Sequence, residues 1–305
     1  MPQAFDLIVL GAGPAGLAAA IYAARARLRT LVVDESIPGG QVKTTHLVSN
    51  YPGFPEDVKG ADLARAFAAQ AERFGAVVRR GVEVTALELR EPTKRLELDE
   101  EEEVTAPVVI LATGARSREL GIEGERKFRG RGLSYCSTCD GAYFEGKSIH
   151  VIGGGNSALD AALQMSRIAS RVYVLESSGD FTADKILVNR LSAAGNVEIY
   201  KNASVMEVRG GRFVEGIRFS AQGKESILPV RGVFVEIGLA PNSEFAAIAS
   251  RNEKGEIKVD CSNGTGVPGL FAAGDVTDVP EKQIVIAAGD GAKAALSAAR
   301  YLLSL

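Results

Sequence analysis

Phe5-Asp6-Leu7-Ile8-Val9-Leu10 runs directly into Gly11-Ala12-Gly13-Pro14-Ala15-Gly16. The first six residues are mainly apolar and long enough for a buried parallel strand. The glycines follow as Gly-x-Gly-x-x-Gly, and an Ala-rich helical stretch continues to about Arg25. Residues 29–33 read as a second strand that ends at Asp34. Strand, glycine turn, helix and acid-closed strand form the context in which this pattern binds a dinucleotide. Gly11 makes the turn, Gly13 lets backbone approach a pyrophosphate, and Gly16 lets the helix pack on the strand. The helix N-terminus suits phosphate, and Asp34 can accept hydrogen bonds from ribose hydroxyls.

The pattern recurs. Residues 148–152 read as a strand, Gly153-Gly-Gly155-Asn156-Ser157-Ala158 opens a helix, and residues 172–175 form a strand ending at Glu176. Gly11 to Asp34 and Gly153 to Glu176 are each 23 residues apart. Two such units with matched geometry predict two dinucleotide sites. The expected fold class is α/β: two Rossmann-like dinucleotide-binding domains, the second inserted in the first. The first takes residues 1–114 and 240–305, and the second takes 115–239. Residues 108–111 form an apolar strand ending in Ala112-Thr113-Gly114, where the chain leaves the first domain. A strand at Gly269-Leu-Phe-Ala-Ala-Gly274-Asp275, with a long helix from Lys282 to the C-terminus, returns to it.

Between the units, an amphipathic helix is expected over 61–74 and a hairpin over 82–89 and 94–98. The acidic run 99–103 reads as a solvated turn. Pro38-Gly39-Gly40-Gln41 and Asn50-Tyr51-Pro52-Gly53 are loops placed to line the far end of a cofactor. In the second domain, strands are expected at 197–200, 205–209, 216–219 and 233–237, the last leading into Gly238-Leu-Ala-Pro241.

Between the two glycine patterns lies Ser134-Tyr135-Cys136-Ser137-Thr138-Cys139-Asp140. Two cysteines three apart can close a small disulfide and reopen it, and an acid follows at once. The chain has only three cysteines. That is no secreted disulfide framework and points to a reducing compartment with a working thiol pair. A zinc site would need two further ligands, and Cys261, His46 and His150 have no clustered spacing, so no metal is expected. His46, in a loop, and His150, in a strand, read as structural, and Cys261 as a bystander in a turn.

The 305 residues are 46% hydrophobic with a net charge of -3. That balance argues against a nucleic-acid partner. Residues 7–24 carry no charge, but Gly11, Gly13 and Pro14 interrupt them and no basic residues precede them. They are therefore neither a membrane span nor a signal peptide. A cytoplasmic protein is expected.

These motifs together resemble the low-molecular-weight thioredoxin reductase family over essentially the whole chain. Those carrying the resemblance are Gly11 to Gly16, Gly39-Gly40-Gln41, Asn50-Tyr-Pro-Gly53, Cys136-Ser-Thr-Cys139-Asp140, Gly153 to Ala158 and Phe271-Ala-Ala-Gly-Asp275. The resemblance implies FAD in the first domain, a nicotinamide dinucleotide in the second, and a homodimer. It places FAD on Gly13, Asp34, Gly40, Gln41, Asn50, Asp275, Gln283 and Ile284. Gly11, Pro14, Ala15, Gly16, Glu35, Val84, Thr113, Gly114 and Gly274 complete the expected flavin set. Gly153, Gly155, Asn156, Ser157, Ala158, Glu176 and Gly238 form the nicotinamide set.

One departure matters. Family members that use NADPH carry His-Arg-Arg, and another Arg four residues on, where this chain has Glu176, Ser177, Ser178 and Thr182. Glu176 suits the free ribose hydroxyls of NADH and repels a 2′-phosphate. The NADH-dependent flavoprotein subunit of alkyl hydroperoxide reductase carries a similar acid. Ala183-Asp-Lys-Ile-Leu187, Lys282-Gln-Ile-Val-Ile286 and Gly289-Asp-Gly-Ala-Lys293 also resemble it. That flavoprotein begins with an extension bearing its own CxxC. Here the sequence starts at the flavin strand, so a separate protein is expected to carry the shuttle disulfide.

The resemblance implies that electrons pass from NADH through FAD to the Cys136–Cys139 disulfide. From there they go to a thioredoxin-like or glutaredoxin-like protein, on occasion upstream of a peroxiredoxin. Cys139 would face the flavin, Cys136 would attack the partner, and Asp140 would serve as acid and base. The domains are expected to rotate on linkers near 113–118 and 238–242. The alternatives are an NADPH- or ferredoxin-dependent thioredoxin reductase, or a flavin-loaded redox sensor.

Overall fold

The computed structural model describes residues 2–45, 47–89 and 92–305; His46 lies outside the described residues. The chain divides into two units, residues 1–116 with 240–305, and residues 117–239.

The first unit is built on five parallel strands in the order Leu270–Ala272, Val108–Leu111, Leu7–Leu10, Thr30–Asp34, Val77–Arg80. Leu7–Leu10 and Val108–Leu111 are buried at every position. Both faces of the sheet are covered, which is why these strands read as unbroken apolar runs. The helices Pro14–Arg25 and Ile284–Leu302 pack closely, because a Cβ at Gly291 would overlap the backbone of Ala15. The glycine turn sits where the strand order reverses, the place at which α/β sheets bind ligands.

The second unit repeats the plan: Leu133–Ser134, Gly232–Val235, Ser148–Ile152, Arg171–Leu175, Val197–Tyr200, all parallel. Its strand Ser148–Ile152, with Gly153 at its end, again stands at the reversal. The expected pair of Rossmann-like units is therefore present.

Two local expectations need correction, and one strand was not anticipated. The acidic run is only partly a turn. Asp99 and Glu100 turn the chain at φ +52° and +60°, but Glu102–Ala106 is a strand, antiparallel to Lys94–Leu98. Val104 and Ala106 point into the core while Glu103 points out. Charge on the outer face masked the two-residue period. Lys224–Pro229 likewise completes a three-stranded antiparallel sheet with Ala203–Gly210 and Val214–Ala221. The strand expected at 233–237 stops at Val235, which leaves Glu236 outside it.

His150 is structural, as expected, but at a cost. Its ring is fully buried 5.0 Å from Tyr173 and 6.2 Å from Phe219, and among the described residues both its nitrogens lack partners. Burial pushes its pKa down to about 3. The unfolded chain therefore binds the proton more readily, so this contribution to stability is present above about pH 6.5 and lost as pH falls towards 3. His150→Phe removes it. The gap in unfolding free energy between variant and wild type should widen by about 2 kcal/mol in the variant's favour between pH 7.5 and 5. Denaturant titrations at both pH values check this; a gap independent of pH would refute it.

Candidate functional site

In the first unit, Gly11 is at φ +98°, and a Cβ there would collide with Ala112 and Thr113. A Cβ on Gly16 would overlap the Gly11 carbonyl. Gly13 differs: it caps the helix Pro14–Arg25, and a Cβ there would meet nothing nearer than the Gly40 Cα at 3.9 Å. Its missing side chain leaves room in front of the helix N-terminus, whose free N–H groups suit a phosphate. Asp34 braces the turn. Its Oδ2 accepts the Ala12 N–H at 2.7 Å, and its Oδ1 accepts the Ser36 N–H at 2.8 Å. Glu35 lies exposed just beyond.

Distant residues join this turn. Gly40 stands back to back with Gly13. A Cβ at Gly274 would sit 2.8 Å from the Ala15 Cβ, so the Gly274-Asp275 turn lies against the first turn of the helix after Gly13. Burial pushes the Asp275 carboxyl up, opposed by Lys282. Asn50 Nδ2 donates to Gln283 Oε1 at 3.3 Å, with Ile284 opening the next helix. Gln41 Nε2 donates to the Ala115 carbonyl at 2.6 Å. Thr113 Oγ1 donates to the Asn242 carbonyl at 2.6 Å, and Asn242 Nδ2 donates to that of Thr113 at 2.9 Å, beside Gly114. Val84 is the outlier, half-buried in the antiparallel sheet, two residues past a Val82 N–H bond to the Asp34 carbonyl. The residues fit the dinucleotide half of a flavin cofactor.

In the second unit, Gly153 (φ +136°) packs against the Glu236 carbonyl and Ala158. Gly155 caps the helix Asn156–Ser166, and a Cβ there would meet only the Thr182 hydroxyl, at 3.8 Å; Ser157 is exposed in the helix's first turn. Asn156 and Asp184 bond reciprocally, at 3.0 Å and 2.8 Å, and hold the loop after Glu176. Gly238 takes φ +98° where the strand leaves the sheet. Glu176, 8% exposed, accepts at Oε1 the Ser178 N–H (2.8 Å) and hydroxyl (2.9 Å) and the Ser177 hydroxyl (3.3 Å). Its Oε2 lies in the space a Cβ on Gly154 would fill. The equivalent position in the first unit is Ala12, opposite the shorter Asp34. The longer acid thus requires the extra glycine, which the sequence reading passed over.

Cys136 and Cys139 form a disulfide with Cα atoms 5.3 Å apart. The Cys139 N–H donates to Cys136 Sγ at 3.1 Å. Ser134 Oγ accepts the Cys136 N–H at 3.1 Å and donates to Asp140 Oδ2 at 2.6 Å. One hydroxyl therefore ties the acid to the cysteine turn. Ser137 Oγ and Thr138 Oγ1 both reach Gln164 Oε1 at 3.4 Å, and Gly141 packs on Met165. The turn is thereby docked on the helix that the second glycine turn opens. Both sulfur-bearing residues are partly exposed. Cys261 is free and exposed in the first unit.

Sequence reasoning missed Glu236. Its Oε1 accepts the Ser137 N–H at 3.4 Å, and burial raises its pKa to about 7, opposed by that N–H. The available signal was an acid closing the apolar run Val233-Phe234-Val235.

Two dinucleotide cradles and a disulfide on the second define a disulfide oxidoreductase of the kind that works with a nicotinamide and a flavin. Comparison with known proteins agrees. Residues 5–291 match the model of the pyridine nucleotide-disulphide oxidoreductases. The fold matches the crystal structure of thioredoxin reductase from Streptococcus pyogenes MGAS5005 with a TM-score of 0.93 and 33% identity, covering all of both chains. An alkyl hydroperoxide reductase subunit of Staphylococcus aureus (strain MSSA476) is 40% identical over 304 residues, covering 99% of this chain and 60% of that protein. NADH dehydrogenase of Bacillus subtilis (strain 168) is 42% identical, covering 99% and 59%. The chain thus spans about 60% of the length of these curated relatives. It belongs to the pyridine nucleotide-disulphide oxidoreductase family and is a thioredoxin reductase-like member of it. Among the described residues no helix is long and apolar enough to cross a membrane.

Proposed function

We propose that this chain is an FAD-dependent disulfide reductase that prefers NADH and passes electrons through Cys136 and Cys139 to a thioredoxin-like or glutaredoxin-like protein. The observation that carries this reading is the Cys136–Cys139 disulfide, docked on the helix that the second glycine turn opens. FAD, when bound, would relay the two electrons of a hydride from nicotinamide to sulfur. The chain supplies the rest. Gly13, Gly40 and Asp275 would hold the flavin dinucleotide, with Gln41 and the Asn50–Gln283 pair towards its far end. Gly155 would seat the nicotinamide dinucleotide's pyrophosphate, and Glu176 its ribose.

Opening the disulfide takes two electrons and two protons and yields two thiols. Asp140, tied to Ser134, holds or moves a proton at the cysteine turn. Cys136 then attacks the partner's disulfide as thiolate; the partner is reduced and Cys136–Cys139 closes again. The proposal extends to a homodimer in the cytoplasm and to a partner that supplies a peroxiredoxin.

Anaerobic stopped-flow mixing with excess NADH should bleach the flavin absorbance. A screen of small CxxC proteins should then find one that restores it over many turnovers. Protein that stays colourless when offered FAD would defeat the reading.

A further inference from the structure

Glu236 belongs to none of the roles assigned above, yet it touches both parts of the second unit's machinery. Its carbonyl closes on Gly153, where no Cβ could fit, and its N–H donates to the Ile152 carbonyl at 2.8 Å. Its carboxyl reaches the other way, to the Ser137 N–H between the two cysteines. The carboxyl ends a fully buried strand beside a disulfide, where a glutamine would offer the Ser137 N–H an oxygen without the ionisable proton.

We propose that Glu236 is a positioning residue for the sulfur pair, one that sets, through the Ser137 amide, the ionisation of the thiols released when the disulfide opens. This rests on Cys136 and Cys139 being a working redox pair, as proposed above. Burial brings the carboxyl to about 7, so both its forms are populated at neutral pH. The titratable or charged groups on the elements around it are Tyr135, Cys136, Cys139 and Asp140 on the cysteine turn, His150 on the neighbouring strand, Glu176 beyond the glycine turn, and Arg118, whose N–H donates to the Gly238 carbonyl at 3.0 Å. Burial raises the Glu236 carboxyl and the Ser137 N–H opposes that rise.

The consequence is a coupled pair of acids. With the disulfide closed, the carboxyl can keep its proton. When two electrons break the S–S bond, two thiolates form, and two protons convert them to thiols. The neutral carboxyl can give one of those protons and become carboxylate. An ionised Glu236 in turn disfavours a neighbouring thiolate, as like charges do. The thiol and the carboxyl then titrate in two macroscopic steps that belong to the pair.

The test uses the full chain, reduced with dithiothreitol, desalted anaerobically, and alkylated with iodoacetamide from pH 5.5 to 9. Peptide mass spectrometry follows Cys136 and Cys139 separately, with exposed Cys261 as an internal control. Wild type should show two steps, the lower near neutral pH. Glu236→Gln keeps an oxygen for the Ser137 N–H but has no charge. It should show one step at lower pH. A thiol pKa lower by about one unit gives roughly tenfold more thiolate, each intrinsically about threefold less nucleophilic, so alkylation at pH 7.5 should rise about threefold. Glu236→Asp should restore the lower step. Wild-type and Glu236→Gln profiles that superimpose overturn the proposal. If the Gln variant does not fold, a single-step wild-type profile overturns it. Failure of the functional reading looks different: a disulfide that dithiothreitol cannot open.

Discussion

Cys139→Ser protein should lose reduction of its protein partner by at least about a thousandfold, while still oxidising NADH with a small artificial acceptor such as ferricyanide. The argument is chemical. Thiolate is both the nucleophile and the leaving group of disulfide exchange, and each role depends on a thiol pKa near ambient pH. A serine hydroxyl meets neither condition, although it fills nearly the same space. Cys139 donates its N–H to Cys136 Sγ through the backbone, so the turn keeps its shape and the fold is not at issue. The two single variants should also differ in kind. With Cys139 replaced, Cys136 still attacks the partner, and the mixed disulfide has no second thiol to release it. With Cys136 replaced, no such adduct should form. Non-reducing electrophoresis after mixing with the oxidised partner separates the two. Full-speed partner reduction by either variant would end the account, because the other thiol, Cys261, is free in a turn of the first unit.

The sequence made the fold legible where one residue type answers to one backbone demand. Gly11 and Gly153 stand at positive φ against a neighbouring carbonyl, and no other residue fits there. The strands before them are buried on both faces and so appear as plain apolar runs. Where demands mix, the reading weakened. The strand Glu102–Ala106 hides its inward Val104 and Ala106 behind the acids Glu102 and Glu103 that open it. Glu236 was overlooked for a related reason: one acid after Val235 looks like a strand end meeting water, and only the folded chain shows that it bonds the cysteine turn. Asn50 and Gln283 were assigned to a common site by resemblance. Their 3.3 Å hydrogen bond is a tertiary fact that spacing cannot supply across more than two hundred residues.

Gly154 and Glu176 carry the prediction with the clearest internal control. On the proposed function, Glu176→Ala should lower kcat/KM for NADH by about tenfold or more, since the hydrogen bonds proposed from ribose hydroxyls to a charged group would be lost. It should raise kcat/KM for NADPH, since the charge that repels a 2′-phosphate is gone. The ratio of the two should fall by roughly a hundredfold. Gly154→Ala should mimic this without touching the acid. A Cβ there would fill the space that Oε2 occupies, so the carboxylate must leave its seat beside Ser177 and Ser178. Gly154 is not among the residues at positive φ, and alanine already stands at the matching position 12, so the backbone tolerates the change. Decisive evidence comes from the double variant. If Gly154 matters only because it makes room for Glu176, then adding Gly154→Ala to Glu176→Ala should cost little more, and the two effects will be far from additive. If the glycine instead serves the close approach of the dinucleotide itself, its cost will persist undiminished in the Glu176→Ala background, and the assignment of Glu176 to nucleotide choice would lose its structural support.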